Sequence, residues 1–210
     1  MIKQKIINKI IKNKKPISIE LYTKLCLYDK DGYYKKKDII GKQGDFVTSP
    51  EISQLFGEIL GLFIYSIWKN KINKEFNLIE LGPGRGTLLL DILNITKTFN
   101  NFRNLMNVHL IEKNSNLINT QKINFKKIKL NLQNLKWLKN FNISNKKPSI
   151  IFANEFFDCL PIRQFYKKDT KWYEKMINYN KKSKDFNNED LEIIDSKTLS
   201  LISSNNSKNL

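Results

Sequence analysis

Apolar residues along this chain recur in two rhythms, one helical and one extended. Ile2, Ile6, Ile7, Ile10 and Ile11 fall at steps of three and four, which predicts an amphipathic helix ended by Pro16. A second short helix is expected over 19–28, then a turn at Asp31-Gly32 and a glycine-bearing loop over 40–45. From Ile52 onward Leu55, Phe56, Ile59, Leu60, Phe63, Ile64, Ile67 and Trp68 keep the same spacing and predict a helix with one buried face. Its start carries Thr48-Ser49-Pro50-Glu51, which reads as a capping box. Thr48 bonds the amides ahead, Glu51 reaches back, and Pro50 sits in the first turn, where its missing N–H costs nothing.

The rhythm then changes. Residues 76–80, 107–112 and 149–154 are short, nearly continuous apolar runs of strand length, and a further strand is expected near Leu130. Residues 88–95 continue the first run as a helix, and Asn114 can cap another. Strands alternating with helices mean a parallel sheet with crossover helices. Residues 163–167 and 171–179 flank Lys168-Asp169-Thr170 and predict an antiparallel hairpin. Beyond Asn180 polar residues dominate, and 203–210 reads as a frayed end.

Composition narrows the function classes. With 210 residues, 40% of them hydrophobic, the chain can build one globular core. It has no apolar run near the roughly 18 residues that a membrane-spanning helix needs. The formal charge of +17 raises nucleic acid as a partner, but Lys supplies 34 of the 37 basic residues. Phosphate- and base-reading surfaces favour the planar fork of Arg. The acid-free stretch 113–154 holds nine Lys without regular aromatic interleaving. The excess therefore reads as solvated surface, with no nucleic-acid partner. The Lys-rich start lacks the Arg and Ser of a transit peptide and reads as a helix packed on the domain. Cys26 and Cys159 cannot form a disulfide framework, and one histidine, His109, with two distant cysteines excludes the usual zinc spacings.

The candidate chemistry lies in two places. Glu80-Leu81-Gly82-Pro83-Gly84-Arg85-Gly86 joins a predicted strand to a predicted helix, so glycines can bring the backbone close to a ligand at a helix N-terminus. A dinucleotide fingerprint needs its third glycine one position later, where Thr87 stands. Glu80 suits a cofactor bearing an ammonium and a sulfonium and would repel a pyrophosphate, while Glu112 is placed to accept ribose hydroxyls. Glu80, Gly82, Gly84, Gly86 and Glu112 thus point to S-adenosyl-L-methionine. The second place is Asn154-Glu155-Phe156-Phe157-Asp158, at the carboxyl edge of the sheet, where ligands of open parallel sheets bind. Glu155 and Asp158 can handle substrate there. Alternatively one of them caps a helix beginning near Phe156, with Phe156 and Phe157 in the core.

Residues 44–58, 80–87 and 153–161, with Asp29-Lys30-Asp31-Gly32-Tyr33-Tyr34 upstream, closely resemble the MidA-like family of S-adenosylmethionine-dependent methyltransferases over roughly 16–175. Its members include a mitochondrial complex I assembly factor that methylates arginine. The resemblance implies a class I methyltransferase, Rossmann-like α/β fold with a helical amino-terminal segment and a β-hairpin insertion. It also implies a protein arginine substrate on a respiratory complex I subunit, and a bacterial cytoplasm or a mitochondrial matrix as the compartment. Methyl transfer is an in-line displacement, so alignment is the main task. A carboxylate pair can grip two guanidinium nitrogens and leave the third for the methyl group. Glu155 and Asp158 are that expected pair, with Glu51 in reserve. The block 44–51, with Thr48, is expected to close over the cofactor, and Asn154 to border it. The expected division is a helical segment packing on the cofactor site over 1–70, the first half of the cofactor domain over 71–160, the hairpin over 161–180 and a polar, partly disordered tail over 181–210. The family carries a further carboxyl-terminal portion with the remaining core strands, so either a second polypeptide completes the fold or the chain is an inactive fragment. The other functional reading is a non-catalytic cofactor-binding or assembly partner.

Overall fold

The structure, a computed structural model, describes residues 1–35, 49–127, 134–143 and 146–206, with backbone alone at 35, 49, 51, 127 and 204–206. In chain order the elements begin with α1 (Ile2–Asn13), β1 (Ile17–Ser18), α2 (Ile19–Tyr28), α3 (Ser49–Ile52) and α4 (Gln54–Ile67). Next come β2 (Phe76–Leu81), α5 (Thr87–Ile95), α6 (Asn100–Asn104), β3 (Met106–Ile111), α7 (Ser115–Lys127), β4 (Leu135–Leu138) and β5 (Ser149–Ala153). The last are β6 (Phe165–Lys168), β7 (Lys171–Asn180), β8 (Asp185–Glu192) and α8 (Ser196–Asn206). They form two compact units, one of Met1–Lys37 with Cys159–Leu210 and one of Asp38–Asp158.

The second unit holds the parallel sheet, in the order β4-β3-β2-β5. Leu78 of β2 is paired with Val108 on one side and Ile150 on the other. A central parallel strand is covered on both faces and both edges, which is why its sequence is an unbroken apolar run. Phe76, Leu78, Val108 and Leu110 enter one core with Leu89, Ile92 and Leu93 of α5, Ile64 of α4, and Trp68 and Phe102. The fourth strand lies at Leu135–Leu138; Leu130 itself is outside the described residues.

The apolar helix differs from expectation in two ways. It is broken at Ser53, whose φ of −145° is extended and whose hydroxyl accepts from the Leu55 amide at 3.3 Å. The expected capping box lies outside the described residues at Thr48 and outside the described side chains at Glu51. Its buried residues are Gly57, Gly61 and Ile64, whereas Ile52, Leu55, Phe56, Ile59 and Phe63, expected inside, are exposed. The glycines decide this. A Cβ on Gly57 would stand 2.5 Å from Asp91 Cβ, and one on Gly61 2.6 Å from Ile95 Cγ2, so only this side lets α4 approach α5 so closely.

In the first unit β7 is the central strand of an antiparallel sheet, pairing with β6, β1 and β8. The β6–β7 connection turns at Asp169, φ 53°, as the hairpin pattern predicts. Ile6 and Ile10 of α1 meet Ile17, and Leu21, Tyr22, Ile177 and Phe186 pack around them. Helix α1 stops at Asn13, with Lys14 at φ 49°, two residues before the proline expected to end it. The polar stretch past Asn180 carries β8 and α8 rather than a tail. Its backbone pairs with β7 from Asn180↔Asp185 to Tyr173↔Glu192, and main-chain bonds of this kind do not need apolar side chains.

Candidate functional site

Strand β2 delivers Glu80 to the carboxyl edge of the sheet, and the chain then reverses into α5 through three left-handed glycines. Gly82, Gly84 and Gly86 have φ of 63°, 54° and 82°. The Gly82 amide donates to Ile111 O at 3.1 Å and the Gly86 amide to Pro83 O at 2.7 Å, tying the turn to β3 and to itself. The N-terminus of α5 therefore opens at the same edge, where a helix favours negative or electron-rich groups.

Glu80 is 3% exposed, and its Oε2 accepts no hydrogen bond among the described residues. Burial alone pushes its pKa up to about 8. Glu112 follows β3 on the neighbouring strand and is half-buried. One of its oxygens accepts the Asn114 amide at 2.8 Å; burial raises its pKa while the amides of Asn114 and Lys113 pull it back. Register places Glu80 opposite Leu110, so Glu112 stands two residues beyond that partner, on the same side of the pleat.

Helix α7, capped by Asn114 through the Asn116 amide at 2.9 Å, supports the turn from behind. Gln121 donates to Gly84 O at 2.7 Å and accepts from the Trp137 indole N–H at 2.8 Å, and Asn124 donates to Arg85 O at 3.1 Å. A Cβ on Gly86 would meet Phe125 at 3.1 Å. Sequence reasoning missed these three supports. Their one signal is the spacing of 121, 124 and 125 on a single helix face.

The segment after β5 meets the same turn. Phe156 lies against Gly82, where any Cβ would run into its ring, and Phe157 packs edge-to-face on Phe156 at 5.4 Å. The chain continues as a 3-10 turn, Phe157–Cys159, and Phe157 is 65% exposed. The alternative of a capped helix with both rings in the core is thereby corrected: one ring covers the glycine turn and the other faces solvent. Glu155, at φ 46°, and Asp158 are exposed carboxylates on this loop, and Asn154 is half-buried at its base. The structure thus brings Glu80, the glycine turn, Glu112, Asn154, Glu155 and Asp158 to the carboxyl ends of three adjacent strands. Thr48 is outside the described residues. His109 lies within β3, where its Nε2 meets Asn77 Oδ1 at 3.3 Å and burial lowers its pKa. Among the described residues no group of His, Cys, Asp and Glu could hold a metal ion.

A buried carboxylate oxygen without a partner among the described residues, beside a turn that excludes side chains, fits a ligand with a cationic end. S-adenosyl-L-methionine has one, and its ribose suits the remaining oxygen of Glu112.

Comparison with known proteins agrees with this geometry. A family described as "Putative S-adenosyl-L-methionine-dependent methyltransferase" matches residues 59–209. The mitochondrial protein arginine methyltransferase NDUFAF7 of Homo sapiens is 36% identical over 188 residues, covering 80% of this chain and 43% of that protein. Its Xenopus laevis counterpart is 38% identical over 199 residues, covering 83% and 45%. The chain spans less than half the length of these curated relatives. A Burkholderia thailandensis protein crystallised with S-adenosyl-homocysteine shares the fold, with a TM-score of 0.75 at 20% identity over 96% of this chain and 52% of that one. With the strand order, the glycine turn and the two acidic strand ends in place, this chain belongs to that family of S-adenosyl-L-methionine-dependent methyltransferases.

Proposed function

We propose that this chain is the cofactor-binding portion of a protein arginine methyltransferase that acts on a subunit of respiratory complex I in the mitochondrial matrix. The observation that carries the reading is Glu80, a buried carboxylate at the glycine turn with one oxygen that has no partner among the described residues. S-adenosyl-L-methionine, when bound, supplies a methyl group activated on a sulfonium. Glu80 gives its cationic end a charge partner, Gly82, Gly84 and Gly86 admit it to the backbone, and Glu112 accepts ribose hydroxyls. Asn154, at the base of the loop after β5, borders the cofactor, and the family resemblance implies the same role for Thr48. Glu155 and Asp158, exposed at the same edge, hold two nitrogens of the substrate guanidinium so that the third is presented. The arginine substrate and a mitochondrial location come from the relatives' names, and complex I and the matrix from the resemblance of the motif blocks.

Titration calorimetry with S-adenosyl-L-methionine tests the cofactor step. Wild type is expected to bind at micromolar Kd, and Gly82→Val to lose binding because the new side chain meets Phe156. No heat from the wild type removes the reading. Transfer of labelled methyl to a complex I subunit, lost in Asp158→Ala with binding retained, places that carboxylate on the substrate. Binding without transfer by the wild type leaves the non-catalytic cofactor-binding role.

A further inference from the structure

Helix α7 fixes the direction of one peptide in the glycine turn. Gln121 is wholly buried; its Nε2 donates to Gly84 O at 2.7 Å and its Oε1 accepts the Trp137 indole N–H at 2.8 Å. The two partners set the sense of the side-chain amide, since turned over it would face oxygen to oxygen and N–H to N–H. Trp137 is itself held in β4 opposite Leu110, with its ring T-shaped against Phe125 at 6.3 Å.

Gly84 O belongs to the peptide that joins Gly84 to Arg85. The described chain has no cis peptide bond, and across a trans peptide C=O and N–H point in opposite directions. With the carbonyl drawn to Gln121, the Arg85 N–H points away from that side chain, and no described residue accepts it. The next amide, that of Gly86, is spent inside the turn on Pro83 O at 2.7 Å. Glycine at 84, φ 54°, would let this peptide turn either way, so a contact from outside the turn has to choose. The outcome is an open donor just before α5 begins at Thr87, at the helix end that favours negative charge. Glu80, on the strand leading into the same turn, has an oxygen with no partner among the described residues and favours positive charge. A donor and a buried carboxylate on one turn match a zwitterion, and the amino-acid end of S-adenosyl-L-methionine is one.

We infer that Gln121 is a positioning residue: by holding Gly84 O it aims the Arg85 amide at the carboxylate of the cofactor's amino-acid end, while Glu80 takes the cationic groups. This role rests on the methyltransferase reading and adds which end of the cofactor the α7 brace serves.

Calorimetry on the full chain with two probes separates this role from a brace that merely holds the fold. S-adenosyl-L-homocysteine carries the amino-acid end; methylthioadenosine keeps the nucleoside and thioether without it. Wild type is expected to bind the first more tightly. Gln121→Met, close in volume but without either hydrogen-bonding end, should weaken S-adenosyl-L-homocysteine by about tenfold or more and methylthioadenosine by less than about twofold. Trp137→Phe keeps an aromatic ring and removes only the N–H that anchors Gln121. It should shift the preference the same way by about threefold, and it decides the matter if circular dichroism shows Gln121→Met unfolded. Equal weakening of both probes, an unchanged affinity for S-adenosyl-L-homocysteine, or a wild type without preference would each overturn the role of Gln121 and leave the methyltransferase reading standing. A wild type that binds neither probe removes both.

Discussion

Strands β2 and β5 lie side by side in one sheet and are built from similar apolar runs, yet their surroundings differ. Phe76, Leu78 and Ile79 of β2 are essentially inaccessible, whereas Ile151, the register partner of Ile79, is half open to solvent. The same division runs through α4, with Gly57, Gly61 and Ile64 inward and Leu55, Ile59 and Phe63 outward. Apolar content therefore records what a segment is built to touch, and neighbours decide whether it is touched. Polar content is no better guide by itself. β8 is mostly Asn, Asp and Glu and still pairs along its whole length with β7.

The contrast can be broken first at the strands. Leu78→Ala should cost about 2–5 kcal/mol, the usual range for emptying a packed core site. Ile151→Ala should cost less than about 1 kcal/mol, since much of that side chain stays in water. Urea denaturation of the two variants measures the difference, and equal losses would mean that β5 is as covered as β2.

Glu80 sharpens the comparison through pH. Its carboxyl titrates near 8 in the folded chain against an ordinary value of 4.5. Between these values the unfolded chain gives up its proton while the folded chain keeps it, so stability falls as pH rises through that window, by at most roughly 1.4 kcal/mol per pH unit. Thermal melts of the ligand-free protein should show this slope, and Glu80→Gln should flatten it. A cationic ligand on the carboxylate lowers its pKa, so cofactor binding should release protons in the same window. An unchanged slope in the Gln variant would show that Glu80 is not the group responsible.

The two faces of α4 give the smallest effect. Gly61→Val forces a side chain into Ile95 and the backbone of Ile92, and should cost about 1–3 kcal/mol as overpacking does. Ile59→Ser, on the outer face, should change stability within about 0.5 kcal/mol. Reversed magnitudes would mean that α4 turns its other side to α5.

Much of the site was legible before any tertiary information. Strand, acidic residue, glycines and helix follow in an order that backbone sterics constrain, because only residues tolerant of positive φ make the reversal at 82, 84 and 86. Glu112 could be placed from the length of its strand, and the hairpin from its turn. The supports were not legible in this way. Gln121 and Asn124 look like ordinary polar helix residues until they reach Gly84 O and Arg85 O, contacts 37 and 39 residues away in sequence. Phe156 looked like core until it covered Gly82.

By itself the sequence determined the alternation of helices and strands, the left-handed glycine turn and the acidic residues at two strand ends, because each depends on a few neighbouring residues and on backbone geometry. Only the tertiary structure decided which side of α4 is buried, that a polar segment becomes a strand, and which distant side chains brace the turn. Those outcomes depend on which surfaces meet, and exclusion of water by a neighbouring element leaves no local mark on the chain.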